Sequence, residues 1–221
     1  MATINIGHSP LDSYKLVVVP ADYLMDTASA DAIRSYVRNG GTVIMTAMSA
    51  KVDETNQWFD TPLPGRLSEV FGIRTSEFYR PGTPPEISLN GKTEKATIGF
   101  YEVLEPRTAR PLAMFTNTPE KSPAITVNSY GKGRAIYVAV PAQMPVLAPL
   151  VGNLYAALNI EKGPETPAGI YARLVDGRTL YVNTTGEEKT VPISGTRHGI
   201  ISGAIYESII RLKPYDADLV E

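Results

Sequence analysis

Hydrophobic and polar positions follow two different rhythms along this chain, and the change of rhythm divides it. Tyr14 to Pro20 reads Tyr-Lys-Leu-Val-Val-Val-Pro, a continuous β-branched run closed by proline. Such a run predicts a strand buried on both faces. Asp26-Thr27 offers a helix cap, and Ala32, Ile33, Tyr36 and Val37 follow at helical spacing. The helix should stop at Asn39-Gly40-Gly41, where glycine can turn left-handed. Thr42 to Met48 repeats the buried-strand pattern. Together these predict a right-handed βαβ unit with a parallel sheet.

Ser49 to Pro64 is polar and predicts a long loop; it holds Asp53, Glu54, Asn56 and the only tryptophan, Trp58. Gly65 to Phe71 predicts a short helix ended by Gly72, and Ile73 to Phe78 an extended segment. Residues 81 to 120 are rich in proline, glycine and threonine. They predict short antiparallel strands at Glu86 to Leu89, Ala96 to Tyr101 and Arg110 to Thr116. Ala124 to Asn128 and Arg134 to Val140 form a hairpin about Tyr130-Gly131-Lys132-Gly133, and Val146 to Leu158 a helix. Glu161 to Pro167 carries two prolines and a glycine and reads as a linker. Beyond it come short runs broken by Asp-Gly, Thr-Gly and Ser-Gly. They run from Ile170 to Val175, Arg178 to Asn183, Lys189 to Ile193, Gly199 to Ile201, Ala204 to Tyr206 and Ser208 to Leu212. The expected organisation is a domain over 1–160, a linker over 161–167 and a small antiparallel β-domain over 168–221.

Composition narrows the chemistry. The chain has 221 residues, 43% of them hydrophobic, and a formal net charge of -2. That balance gives no electrostatic footprint for nucleic acid. No apolar run approaches the roughly 20 residues that span a bilayer, and the first ten residues do not read as a signal peptide. Cysteine is absent, which removes disulfides, thiolate metal sites and a cysteine nucleophile. A cytoplasmic setting is expected. Asn183-Thr184-Thr185 is formally a glycosylation acceptor, discounted for want of an export signal.

No complete active site emerges. His8 and His198 are isolated from each other and from carboxylates at ligand spacing, so neither a metal nor a cofactor is expected. A serine triad would need a histidine base and a strained strand-to-helix turn, and Gly-x-Ser-x-Gly is missing. Gly131-Lys132-Gly133-Arg134 leads into a strand where a phosphate loop would open a helix, so it reads as a hairpin turn. Val19-Pro20-Ala21-Asp22 lacks a dinucleotide fingerprint. Asp53-Glu54 follows a strand, but adjacent residues on one loop cannot readily flank a scissile bond. Asp53, Glu54, Asn56 and Trp58 are therefore candidates for a ligand or subunit contact, tryptophan being favoured at interfaces and sugar platforms alike.

Several stretches resemble the C-terminal portion of the family 42 glycoside hydrolases, microbial β-galactosidases. They are Leu-Asp-Ser-Tyr-Lys-Leu-Val-Val-Val-Pro (11–20), Ala-Asp-Tyr-Leu-Met-Asp (21–26), Ile-Arg-Ser-Tyr-Val-Arg-Asn-Gly-Gly-Thr-Val-Ile-Met-Thr (33–46) and Val-Asp-Glu-Thr-Asn (52–56). Pro-Gly-Arg-Leu-Ser-Glu-Val-Phe-Gly-Ile-Arg (64–74) and Asn-Ser-Tyr-Gly-Lys-Gly-Arg-Ala-Ile-Tyr-Val (128–138) also match. So do Tyr-Val-Asn-Thr-Thr-Gly-Glu-Glu-Lys-Thr-Val (181–191) and Leu-Lys-Pro-Tyr-Asp-Ala (212–217). Each motif is moderately specific, and their order is what carries the resemblance.

The resemblance implies an α/β fold whose parallel or mixed sheet is of the glutamine-amidotransferase-like (flavodoxin-like) type, followed by the small antiparallel β-domain. It implies self-association as a trimer and a partner TIM barrel, absent here, that holds both catalytic glutamates. No catalytic residue can then be carried over. An active amidotransferase-like fold uses a cysteine, so this one would be a scaffold. Family members place a strand and helix before the segment matching Ile4 to Ile6, so the first βα unit is expected to be missing. The alternative reading is a free-standing carbohydrate- or small-ligand-binding module, with Trp58, Tyr79 and Tyr101 stacking on sugar.

Overall fold

The computed structural model describes residues 3–97 and 99–221. The described chain divides into two compact units, Thr3–Ile160 and Glu161–Glu221.

In the larger unit, β1 (Leu16–Val19) and β2 (Thr42–Thr46) pair in parallel, Leu16 opposite Thr42, with α1 (Thr27–Arg38) between them in sequence. The Asp26 carboxylate accepts the Ser29 N–H at 2.6 Å, which satisfies one of the free donors at the start of α1. Ala30, Ile33, Tyr36 and Val37 form its buried stripe. The Tyr36 hydroxyl lies 2.8 Å from the Tyr14 carbonyl and 3.2 Å from that of Thr42, tying the helix to the approaches of both strands. Burial pushes this phenol up to about 12.

A 3-10 turn at Gly65–Leu67 runs into α2 (Ser68–Phe71), and Gly72 ends the pair in the left-handed region at φ 62°. The next strands are β3 (Ile73–Tyr79), β4 (Glu86–Leu89), β5 (Lys92–Lys95), β6 (Tyr101–Pro106), β7 (Arg110–Phe115), β8 (Pro123–Tyr130) and β9 (Gly133–Val138), before α3 (Met144–Ala157). The main sheet is mixed, with order β1-β2-β9-β8-β7-β4-β5. β1, β2 and β9 are mutually parallel, and the remaining pairs are antiparallel. β3 and β6 form a separate antiparallel pair.

Of the predicted strand at Ala96 to Tyr101, Ala96, Thr97, Gly99 and Phe100 are in no strand and Tyr101 opens β6; Ile98 lies outside the described residues. A hairpin stands just before it. Asn90 and Gly91, at φ 52° and 76°, turn β4 back into β5. Asn-Gly is the strongest short hairpin signal. β5, however, is Lys-Thr-Glu-Lys, a lysine-bearing edge strand with no apolar alternation to betray it.

The smaller unit holds β10 (Ile170–Val175), β11 (Arg178–Asn183), β12 (Lys189–Pro192), β13 (Arg197–His198), β14 (Ile205–Tyr206), β15 (Ile209–Leu212) and β16 (Ala217–Val220). They make one three-stranded sheet, β10-β11-β16, and two ribbons, β12-β15 and β13-β14, all antiparallel. Ile170, Tyr181, Val191, Ile210, Leu212 and Val220 form its core. The Asn183 side chain is buried; its amide nitrogen lies 2.7 Å from the Glu187 carbonyl and 2.8 Å from that of Lys213. A glycan there would displace these bonds.

Of the predicted strand at Gly199 to Ile201 only Gly199 pairs, in a single bridge to Val220; Ile200 to Ser202 turn, and Asp218 of β16 explains it. The buried Asp218 carboxylate accepts the N–H groups of Ile201 (3.0 Å) and Ser202 (3.3 Å) and the hydroxyls of Ser202 (2.5 Å) and Tyr206 (2.7 Å). Burial works to raise its pKa, but these donors hold it below the ordinary 3.8. A folded pKa lower than the unfolded one gives stability that is present above 3.8 and lost as pH falls through the folded value. Asp218→Ala should therefore destabilise the smaller unit by about 2 kcal/mol at pH 7. That deficit should shrink below pH 3.8. Urea midpoints read by circular dichroism across pH check it, and a deficit unchanged at pH 2.5 would refute the charge argument.

Candidate functional site

The segment after β2 is bound to the sheet for its first turn and only then becomes a surface loop. Ala50 and Lys51 donate their N–H groups to the carbonyls of Asp22 (2.8 Å) and Tyr23 (2.9 Å), and Met25 donates to Val52 (2.9 Å). Met48 and Ala50 hold positive φ, 68° and 51°. The prediction of a polar loop from Ser49 therefore fails at its start, because Ser49, Ala50, Lys51 and Val52 are all buried.

Of the four sequence-selected residues, Asp53 shapes the loop. One carboxylate oxygen, Oδ1, accepts from Thr55 N (2.8 Å), Thr55 Oγ1 (2.8 Å) and Gln57 N (3.1 Å), closing an Asx-type turn. The Thr55 hydroxyl and these amides hold its pKa below the ordinary value. Asn56 sits left-handed at φ 63° and donates its N–H to the Asp53 carbonyl at 3.0 Å. Glu54 pairs with Arg66 at 2.9 Å, which lowers its pKa. The Arg66 guanidinium also reaches the Met25 carbonyl at 2.9 Å and lies 5.1 Å from the centre of the Phe59 ring. Trp58 is 51% exposed and meets the Tyr23 ring edge-on at 6.4 Å.

Asp53 and Glu54 thus serve a turn and an ion pair, and they do not form an acid pair across a cleft. The stacking trio also falls apart. Tyr101 is buried between Tyr79 and Phe115, its hydroxyl 2.7 Å from Glu120. Trp58 packs with Tyr23 instead. Among the described residues, no group of three or more His, Cys, Asp or Glu side chains could hold a metal ion.

Sequence reading missed one constellation. Glu102, on β6, is wholly buried. Its Oε1 accepts the Met48 N–H at 2.8 Å, and its Oε2 accepts the Tyr137 hydroxyl at 2.7 Å and lies 3.5 Å from Thr75 Oγ1. Lys51 Nζ stands 2.8 Å from Oε1 as an ion pair, off the direction of a proper hydrogen bond. Burial lowers the Lys51 pKa, Glu102 pulling it back only in part, and burial raises the Tyr137 phenol well above its usual range. A carboxylate so enclosed cannot touch a substrate. It staples the turn after β2 to β6 and β9.

The larger unit is thus a mixed sheet whose buried Glu102 is engaged internally and whose loop acids Asp53 and Glu54 are held in a turn and an ion pair. The chain belongs to the β-galactosidase trimerisation domain family, whose model matches residues 4–161. The β-galactosidase LacA of Lactobacillus acidophilus is 31% identical over 188 residues, which is 81% of this chain and 28% of that relative. The β-galactosidase LacZ of Heyndrickxia coagulans is 26% identical over 99% of this chain and 35% of its own length. The chain therefore spans about a third or less of these relatives. Among solved structures, a β-galactosidase from Bacillus circulans sp. alkalophilus superposes with a TM-score of 0.82 at 24% identity, over 97% of this chain and 34% of the other. That of the haloarchaeon Halorubrum lacusprofundi does so at 0.82 and 21%, over 97% and 32%. These likenesses establish a shared fold. Among the described residues, no helix is long and apolar enough to cross a membrane.

Proposed function

We propose that this chain is the non-catalytic assembly portion of a β-galactosidase. It holds copies together as a trimer, while a TIM barrel outside these residues hydrolyses terminal β-galactosides. The carrying observation is the match of residues 4–161 to the trimerisation domain, in a chain that spans about a third of its β-galactosidase relatives. The enclosed Glu102 supports a scaffold role. We read the mixed sheet as amidotransferase-like, a type whose active members use a cysteine that this chain lacks. A cytoplasmic setting belongs to the same reading, because a cysteine-free chain suits a reducing compartment without requiring it.

We assign 1–160 to the assembly domain, 161–167 to a linker and 168–221 to an accessory β-domain. We further propose that another strand, from a second copy or another segment, covers β1. Among the described residues β1 stands at the end of the sheet and pairs only with β2, and Val18 is 39% exposed on it. An apolar edge of this kind invites a further strand. Sedimentation of the chain should show reversible self-association, with those β1 amides that do not bond to β2 protected from hydrogen exchange only as a further strand covers that edge. A strict monomer at high concentration would end the proposal.

A further inference from the structure

We propose that a cleft on the antiparallel half of the main sheet binds a phosphate-type oxyanion, independently of self-association. β7, β8 and β9 lie side by side, with Arg110 opposite Val127 and Ser129 opposite Arg134. Val127 and Ser129 are two apart on one strand, so they share a face. The register therefore places Arg110 and Arg134 on that same face, one on each side of β8. Their strands flank β8 about 10 Å apart, from a spacing of roughly 4.8 Å per strand. The cleft between them encloses about 220 Å³ and is lined by Thr108, Arg110, Val127, Asn128, Ser129 and Arg134.

The lining holds two guanidinium groups and two hydroxyls, and no carboxylate. Five arginines outside the cleft lie within ion-pair distance of a carboxylate: Arg34 of Asp31, Arg66 of Glu54, Arg107 of Glu105, Arg178 of Glu221 and Arg211 of Glu188. Among the described residues no carboxylate pairs with Arg110 or Arg134. Two like charges facing one cleft repel unless a counter-ion sits between them. A chain whose net charge is -2 gains no general attraction for anions, so the effect is local to this cleft. Guanidinium forks match the paired oxygens of phosphate, and the Thr108 and Ser129 hydroxyls add neutral donors. Gly131 turns the hairpin at φ 61°, and Gly133 admits the close approach of the α1 end. Arg134, next in sequence, supplies the charge.

Titration of the whole chain with inorganic phosphate, at constant ionic strength in chloride, tests this. Saturable amide shifts at Ser129 and Arg134 are expected in the millimolar range, with affinity about tenfold lower in Arg110→Gln or Arg134→Gln. Arg80→Gln, an exposed arginine outside the cleft, should change nothing. Acetate at matched charge should bind more weakly, because it offers fewer oxygens. Shifts that fail to saturate, that chloride reproduces, or that persist in the double variant would overturn the proposal. All three variants alter exposed side chains, and unchanged circular dichroism would show that they fold.

Discussion

Replacing Glu102 with alanine is expected to cost the larger unit about 4 kcal/mol, because it leaves the Lys51 ammonium buried without a counter-charge. The Met48 N–H and the Tyr137 hydroxyl lose their acceptor in the same step. A double replacement, Lys51→Met with Glu102→Leu, should recover more than half of that loss, since a buried ion pair is often replaceable by apolar residues of similar volume. The remainder reflects the orphaned hydroxyl and amide. Trp58 is the only tryptophan and lies in this unit, so its fluorescence during urea unfolding reports on it selectively. The variant should also respond to pH with a definite sign. Burial already holds Lys51 below its ordinary 10.5, and Glu102 is what pulls it back up. Without Glu102 the folded state favours the neutral amine more strongly. The penalty is then largest while the unfolded lysine is charged, and it is relieved as pH rises toward 10.5. The deficit relative to the native chain should narrow between pH 7 and 9.5. A constant deficit, or a double variant as unstable as the single one, would show that the ion pair is not the cause.

Such a cluster could not be read from the sequence, and the reason is distance along the chain. Glu102 reaches Met48 across 54 positions and Tyr137 across 35. Lys51 looks like the first charge of a polar loop, and Glu102 lies just past the strand predicted at Ala96 to Tyr101. The βαβ opening was legible because its signals are local: a β-branched run, a cap at Asp26 and a glycine stop, all within a few residues of the element they define. The hairpin of β8 and β9 was legible for the same reason. β5 and β16 were not. One is wholly polar, and the other carries Asp218, whose burial makes sense only beside the Ile201 to Tyr206 turn. Of the candidate site, the loop carrying Asp53, Glu54, Asn56 and Trp58 was placed correctly on the surface. The roles of its acids depend on Thr55, Gln57 and Arg66, partners that spacing alone does not select.

Gly133→Ala should be nearly as damaging as loss of the buried acid, for a steric reason that polarity does not enter. Gly133 opens β9 where the hairpin passes the end of α1. A Cβ there would stand well under 3.0 Å from the carbonyl oxygens of both Val37 and Gly41. Both are backbone atoms already in use: Val37 accepts from Gly40 at 3.0 Å, and Gly41 from Arg134 at 3.0 Å. Neither can swing aside as a side-chain tip would, so the helix end and the strand must separate. That overpacking should cost about 3 kcal/mol. Gly152 is the natural control, because it lies within α3 and a Cβ there meets nothing within 4 Å. Gly152→Ala should stabilise by roughly 0.5–1 kcal/mol through helix propensity alone. The two substitutions add the same methyl group, so opposite shifts of the Trp58 unfolding midpoint would isolate packing from composition. Equal shifts would mean that the close approach of β9 to α1 is not what positions the sheet.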